Sequence, residues 1–448
     1  MGIDPRAGRP LVTQSRDVRL ERNSRHTVWP GGDVGAFVDR KGHVVDAPPL
    51  LPGPIDTVYQ PIVDLRNRSI VGYEALTRPA SGGSPEDLFA EAERRGVTAE
   101  FDWLCRVSAV RGAAEAGLPS ELALFVNSEP AALDAPPPDF ARGALVDAAD
   151  QSIVVEITER DLMADPAGIL RAVAHARDLG WRIAVDDVGA DSSSLALLAL
   201  LRPDVVKLEM RLVQQPSTPE TIALLAAVAA ETARTGSVVV AEGIENAAHE
   251  ARALELGASW GQGWYFGAPG PLPRFDAVPR RPHPGLAGPA VTVRAPVAVT
   301  PFGLTHGRGS AVRTTPAALA DLEADLLRRA LECGPTSLVL VTVPEPETMI
   351  GTRRQLLDQL SERSALTVLF TAGDARSLAG HHRIVVIGQS EPLAREHSIV
   401  VVDPEFAAAL TAVPCTADGE PCVEYRLTRD RDQVLDAATL LLHRVPPR

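Results

Sequence analysis

From position 55 onward the hydrophobic pattern carries two periods. Short β-branched runs read as strands: "DTVYQPIV" (56–63), "SIVGYEAL" (69–76), "LALFVNS" (122–128), "SIVVEIT" (152–158), "RIAVDDVG" (182–189), "DVVKLEM" (204–210), "SVVVAEG" (237–243) and "SWGQGWYF" (259–266). Helical stretches such as "PAGILRAVAHARDLG" and "TPETIALLAAVAAETARTG" lie between the later runs, each stopped by a glycine just past the last apolar turn. Eight strands within residues 55–272 fit an α/β fold, a TIM-type (β/α)8 barrel. The first two strands are joined only by "DLRNRS", too short for a helical crossover, so they are expected to pair as an antiparallel hairpin.

The flanking segments differ in pattern. Residues 1–54 are rich in Arg, Gly and Pro and read as an N-terminal tail and linker, partly disordered, with one hairpin around Lys41–Gly42. Residues 273–298, again rich in Pro and Arg, read as a second linker. Residues 299–448 form a smaller α/β domain. It opens with the charged helix "PAALADLEADLLRRALECG", and the apolar runs "SLVLVTV", "ALTVLF", "RIVVIG" and "SIVVVD" follow with helices among them.

Composition narrows the function classes. A hydrophobic content of 45% with 23% charged residues is ordinary for a soluble globular chain, and 448 residues suit two or three domains. The net charge of -14 argues against a nucleic-acid polymer as partner, although a small anion can still bind where metal ions supply the positive charge. No apolar run is long enough for a membrane span, and the first residues lack a signal-peptide core, so a cytoplasmic protein is expected. Cys415 and Cys422 flank the turn "CTADGEPC", which permits a disulfide. Four free thiols in a reducing cytosol is the preferred reading. His381 and His382 read as a solvated surface pair.

The chemistry sits at the strand ends. Glu74, Asn127, Glu156, the pair Asp186–Asp187, Lys207, Glu242 and Gln262 each follow or interrupt an apolar run. An ionised side chain there is costly unless it faces a partner. In a TIM-type barrel such strand ends converge on one face, where active sites are built. Glu74, Asn127, Glu156 and Asp186 offer the hard oxygen ligands that Mg²⁺ and Mn²⁺ prefer, and Asp187 beside Asp186 could hold a second ion. Two divalent ions about 3.5–4 Å apart are a recurring device for in-line displacement at phosphorus. Arg78, four residues after Glu74, could bind a phosphate bidentately. Lys207 is also conspicuous by type: of 44 basic residues only it and Lys41 are lysine. Arginine is always charged, whereas a compact amine can orient or deprotonate a water molecule.

The motifs "YQPIVDLRNRSIVGYEALTRP", "FVNSEP", "VVEITE", "AVDDVG", "DVVKLE", "AEGIE" and "GQGWYFGAP", in this order, resemble those of the EAL-domain family of cyclic di-GMP phosphodiesterases. The resemblance covers residues 55–272. It implies a barrel that hydrolyses cyclic di-GMP to linear pGpG with Mg²⁺ or Mn²⁺, two ions together. Glu74, Asn127, Glu156 and Asp186 would hold the first ion, and Asp186 with Asp187 the second. Lys207 would orient or deprotonate the attacking water, Glu242 would hold metal or its water, and Gln262 would hydrogen-bond that water. Gln60, Leu76, Arg78 and Glu245 would touch the nucleotide, and Glu159 would brace the loop after Asp187. The family often forms homodimers. The chain departs from the family pattern at Val188, Asp191 and Ser192 in the loop after the aspartate pair, at Leu208-Glu209, and at Glu129. The alternative reading is a cyclic di-GMP receptor without turnover that signals to a protein partner. Residues 299–448 resemble, less specifically, the DICT sensory domain, which implies an unknown signal ligand or protein.

Overall fold

The structure, a computed structural model, describes residues 54–134, 136–158, 165–190, 195–275, 286, 300–305, 311–378, 380, 383–417 and 420–447, with two strand segments nearer the N-terminus. Those segments, β1 (Ala36–Val38) and β2 (Val44–Asp46), pair antiparallel, while Lys41 and Gly42 lie outside the described residues.

Eight strands close into a barrel: β3 (Ile55–Asp64), β4 (Ile70–Pro79), β5 (Ala123–Asn127), β6 (Ser152–Thr158), β7 (Arg182–Val188), β8 (Val205–Leu208), β9 (Val238–Ala241) and β10 (Trp260–Gln262). They are neighbours in sequence order, and β10 returns to β3. The hairpin expected from "DLRNRS" is present, so β3 runs against both β4 and β10 while the other pairs are parallel. Helix punctuation follows the residues. Thr218 caps helix Pro219–Thr235 by accepting from the Thr221 N–H, and Gly236 ends it at φ 77°, a left-handed conformation that glycine adopts at little cost.

Side chains alternate across each strand and fill two separate apolar layers. Those outside the barrel pack against the surrounding helices. Inside, a smaller cluster that includes Ile62, Phe125, Val154, Val205, Val240 and Trp260 plugs the barrel. Leu286 packs against this plug, and its carbonyl accepts from Arg182 Nη2 at 3.0 Å. Strands β4 and β5 approach closely at Gly72. A Cβ placed on Gly72 would lie 2.5 Å from the carbonyl oxygen of Ala123, which is backbone and cannot swing aside.

The C-terminal region carries a separate seven-stranded sheet in the order β11 (Val312–Thr314), β17 (Glu420–Thr428), β16 (Ala407–Ala417), β15 (His397–Val402), β12 (Leu338–Thr342), β13 (Leu366–Thr371), β14 (Arg383–Val386). The four expected apolar runs are strands here. The long β16–β17 hairpin has no counterpart among the expected strands, because its alternating small and polar residues ("AAALTAVPCTA") carry little β-branched signal. Helix Arg431–Leu442 lies on this sheet and also packs against the barrel helices Pro166–Asp178 and Leu195–Leu201.

The preferred reading of four free thiols is corrected for one pair. Cys415 and Cys422 stand directly opposite each other in the β16–β17 register and are joined in a disulfide, while Cys105 and Cys333 are free. Antiparallel pairing brings the two Cβ atoms together, which sequence spacing alone left open. Among the described residues no helix is long and apolar enough to cross a membrane. His381, His382, Glu159, Asp191 and Ser192 lie outside the described residues.

Gly72→Ala is expected to destabilise the barrel by about 1–3 kcal/mol, the usual cost of overpacking where backbone must shift. Denaturant melts of the two proteins measure it. Equal midpoints would show that β4 and β5 can separate freely.

Candidate active site

The interior plug sets the geometry of the site. Phe125, Val154, Ala184, Val205, Val240 and Trp260 all point into the barrel. Strand side chains repeat every second residue, so Asn127, Glu156, Asp186, Lys207, Glu242 and Gln262, each two positions further on, face the same interior at the C-terminal mouth. Glu74 joins them, since it pairs with Phe125. Gln60 stands opposite Glu74 on the antiparallel strand β3.

Asp187 breaks the alternation. Val185 pairs with Val206 and Val188 with Leu208, so two residues of β7 oppose Lys207 alone. This bulge puts Asp187 at φ 56°, which an aspartate tolerates better than most residues. Its carboxylate can then turn toward that of its neighbour. Oxygens of Asp186, Asp187 and Glu242 lie within 4.8 Å of one another.

Lys207 is fully buried at the centre. Its Nζ lies 2.6 Å from Glu156 Oε1, 2.8 Å from Glu242 Oε1, 3.2 Å from Asp186 Oδ1 and 3.6 Å from Glu74 Oε2. Burial disfavours the charged amine, but the carboxylates of Asp186, Glu156, Glu242 and Glu74 outweigh it and hold the pKa well above the ordinary lysine value. In this state Lys207 is a fixed ammonium, a donor rather than a base.

Amides complete the cluster. Gln262 Nε2 donates to Glu74 Oε2 at 2.5 Å and to Gln60 Oε1 at 3.1 Å, and Asn127 Nδ2 donates to Glu74 Oε1 at 3.3 Å. For Glu74, burial works against the anion, but Lys207 and these amides prevail and its pKa is lowered. Glu156 goes the other way, its pKa raised well above the usual range by burial and by Glu74. Burial and Asp186 push Glu242 up to about 8. Five carboxylates thus gather around one ammonium, and both oxygens of Glu156 are buried without a well-formed hydrogen bond. A site of hard oxygen donors with this excess of negative charge fits divalent cations.

Gln60, Glu74, Asp186, Asp187, Glu242 and Gln262 floor a cleft of about 430 Å³, with Lys207 and Glu156 buried out of its lining, and its rim includes Leu76, Glu209, Met210, Gly243, Glu245 and Trp264. Of the residues expected to touch a nucleotide, Gln60, Leu76 and Glu245 line it. Arg78 is absent from the lining, and its Nη1 donates to the Thr77 carbonyl at 2.8 Å. Glu209, a departure from the family pattern, lines the cleft and is bound through both oxygens by Arg211.

A supporting pair carries no sequence signal. Asp102, buried in helix Thr98–Ala116, accepts from the Glu129 N–H at 3.2 Å and from the Ser128 hydroxyl at 3.4 Å, and so ties down the backbone just after Asn127. Arg106 pairs with Asp102 and stacks on Trp103, 3.8 Å from the ring centroid. An Asp–Arg pair four residues apart on a helix is usually a solvated face, so only tertiary burial reveals this one.

Fold and site together define a TIM-type barrel with an acid-rich, amine-centred mouth. Residues 52–269 match the model of the EAL domain family. The "Cyclic di-GMP phosphodiesterase RocR" of Pseudomonas aeruginosa is 31% identical over 241 residues, 50% of this chain and 59% of that protein. The "Probable cyclic di-GMP phosphodiesterase PdeB" of Escherichia coli is 30% identical over 231 residues, 49% of this chain and 43% of that one. The chain thus spans about half the length of these curated relatives. Klebsiella pneumoniae BlrP1, solved as a manganese and cyclic di-GMP complex, is 31% identical with a TM-score of 0.43, covering 50% of this chain and 58% of its own.

Cation binding should be linked to protons. Glu242, with its pKa near 8, keeps a proton below that pH in the cation-free protein, and a bound divalent cation displaces it. Mn²⁺ affinity should therefore rise by about tenfold per pH unit and proton displaced between pH 6.5 and 8, then flatten. Calorimetry in buffers of different ionisation enthalpy reads both the affinity and the proton release. A flat profile would remove Glu242 from the cation site.

Proposed function

We propose that the barrel hydrolyses cyclic di-GMP to linear pGpG with two Mg²⁺ or Mn²⁺ ions. The observation that carries this reading is Lys207, a buried ammonium amid four carboxylates, three of which (Glu74, Asp186 and Glu242) line a cleft large enough for a nucleotide. Glu74, Asn127, Glu156 and Asp186 would hold one ion, and Asp186 with Asp187 the other. When bound, such ions neutralise phosphate charge and activate water.

The chain's own residues do the rest. Lys207 donates to the attacking water and fixes its direction. Glu242 and Gln262 hold that water in place. Gln262 also locks Glu74 in orientation, and Gln60 locks Gln262. Water oxygen bonds to phosphorus as the bond to the 3′ oxygen breaks. The attacking water gives up one proton to solvent in the open cleft, and the leaving oxygen takes one up from solvent to become the 3′ hydroxyl of pGpG, so atoms and charge balance. Leu76 and Glu245 border the nucleotide, with Arg78 reaching it after a side-chain turn.

The reading extends to the whole chain as a cytoplasmic homodimeric enzyme, with residues 299–448 as a DICT-type sensory domain that regulates the barrel. Supporting regulation, helix Arg431–Leu442 packs on helix Leu195–Leu201, which connects the Asp186–Asp187 loop to the strand of Lys207. Arg202 at the end of that helix pairs with Asp432.

Lys207→Arg should lower kcat at least a hundredfold, because a planar guanidinium does not fit a fully enclosed amine site. The assay is chromatographic detection of pGpG with Mg²⁺ or Mn²⁺. Wild-type turnover by this variant would remove Lys207 from the mechanism. Absence of product from the native chain, with cyclic di-GMP still bound, would make the protein a receptor. Asp432→Arg, which sets like charges against Arg202, should change kcat more than KM if the docked helix regulates the barrel; unchanged kinetics would argue against coupling through this contact.

A further inference from the structure

The Cys415–Cys422 bond lies on the C-terminal sheet, and its surroundings set it apart from a structural staple. The β16–β17 ladder runs through nine register pairs, from Ala409–Thr428 to Ala417–Glu420, and the cysteines form the seventh. They are only seven residues apart in sequence, so their bond removes little chain entropy beyond what the ladder already fixes. Apolar packing stops short of it. Val423 is the last residue of β16 or β17 within the core toward that end. Cys415 and Cys422 are half-buried beyond it, among exposed Pro414, Thr416 and Pro421. Disulfides whose sulfurs a thiol reagent can reach are the labile ones. The two free cysteines are poor substitutes in such exchange. Cys105 is buried, the Cys333 thiol donates to the Arg329 carbonyl at 3.4 Å, and burial pushes both up to about 12.

Strand alternation puts the cysteine pair on the same sheet face as the pairs Val413–Glu424 and Thr411–Arg426. Arg426 stands 3.9 Å from Glu424, its Nη1 donates to the Phe302 carbonyl at 3.5 Å, and its guanidinium lies 4.6 Å from the Phe302 ring centroid. Phe302 belongs to the short helix Pro301–Leu304, which packs on helix Arg431–Leu442. The Phe302 N–H donates to the buried carboxylate of Glu396 at 2.7 Å, and the Thr305 hydroxyl bonds that of Thr411 at 3.3 Å. One face thus runs from the disulfide through Glu424 and Arg426 to this segment. We propose that Cys415–Cys422 is a reversible thiol–disulfide exchange site for a dithiol reductant, and that its state sets how firmly Arg426 holds residues 301–305. A thiolate of the reductant attacks one sulfur, the S–S bond breaks, and a mixed disulfide forms. The second thiolate of the reductant displaces it. Two protein thiols and the reductant's own disulfide result, with two electrons and two protons passed to the protein. The other eight register pairs keep the sulfurs opposed, so a disulfide oxidant restores the bond through an intramolecular step at high effective concentration. None of this depends on the hydrolysis proposed for the barrel.

The test uses the full chain. Native protein is incubated with dithiothreitol, then with oxidised dithiothreitol, and alkylated at each stage, with labelled cysteines located by peptide mass. Cys415 and Cys422 should become labelled together without denaturant and lose that labelling after re-oxidation, while labelling of Cys105 and Cys333 stays the same in both forms. Hydrogen exchange then compares the two forms. The peptide carrying residues 302–305 should exchange about tenfold faster when the pair is reduced, with β12 and β13 still protected. The double variant Cys415→Ser, Cys422→Ser should match the reduced form and ignore the reductant; should it not fold, the reduced native chain carries the same comparison. A bond that yields only in denaturant is a structural staple, and the proposal falls. Loss of protection across the whole sheet on reduction would also overturn it, because the bond would then hold the fold. Native reduction with unchanged exchange at 302–305 would sink the link through Arg426.

Discussion

The buried amine of Lys207 is the interaction on which the rest of the barrel mouth depends. An ammonium without solvent survives only where negative charge surrounds it, and four carboxylates do so within 3.6 Å. The converse holds in part. Glu74, 7% exposed, is held ionised by the amine and the amides, whereas Glu156, 1% exposed, is pushed toward its neutral form. The balance is incomplete, as the raised pKa values of Glu156 and Glu242 show. What is left over is a demand for cations, built into the fold rather than added to it.

The strand period does most of the construction. Six interior residues of the plug are each followed two positions later by a polar group, so one rule of side-chain alternation gathers six functional groups from six strands. The bulge at Asp186–Asp187 is the exception that gives the pair a common direction, and the positive φ at Asp187 is its local cost. Glu74 depends on a different constraint, the close approach of β4 to β5 at Gly72, which fixes its height relative to Asn127.

The later barrel strands, β5 to β9, are legible in the sequence because their central residues are apolar on both faces and polarity rises abruptly at or just past their ends. Glu156, Lys207 and Glu242 stand out for that reason, and the structure brings them together with Glu74. Arg78 is equally prominent in sequence, yet its guanidinium turns to its neighbour's carbonyl, since spacing along a strand says nothing about where a long side chain ends. Asp102 and Trp264 are illegible for opposite reasons. Asp102 has the spacing of a solvated helix face and is buried, whereas Trp264 sits in an aromatic run typical of a core and is exposed. The Cys415–Cys422 bond depends on register, which local pattern does not determine.

The same logic bears on how the two halves of the chain are joined. The C-terminal sheet does not reach the cleft; its last helix does the reaching, against barrel helices on either side of β7. Helix Leu195–Leu201 ends at Arg202, held at φ 45°, with the Leu201 and Arg202 carbonyls both accepting from Arg177 on the neighbouring helix. Asp204 then accepts from the Ile183 N–H at 2.9 Å as β8 begins. A displacement of the docked helix would meet this pinned corner first, and past it β8 carries two interior residues, Val205 of the plug and then Lys207. Because four carboxylates take their charge balance from that one amine, a small movement of β8 would alter all of them together. The proposed coupling between the halves would therefore need no large motion, only a shift at the end of the strand whose lysine the site is built around.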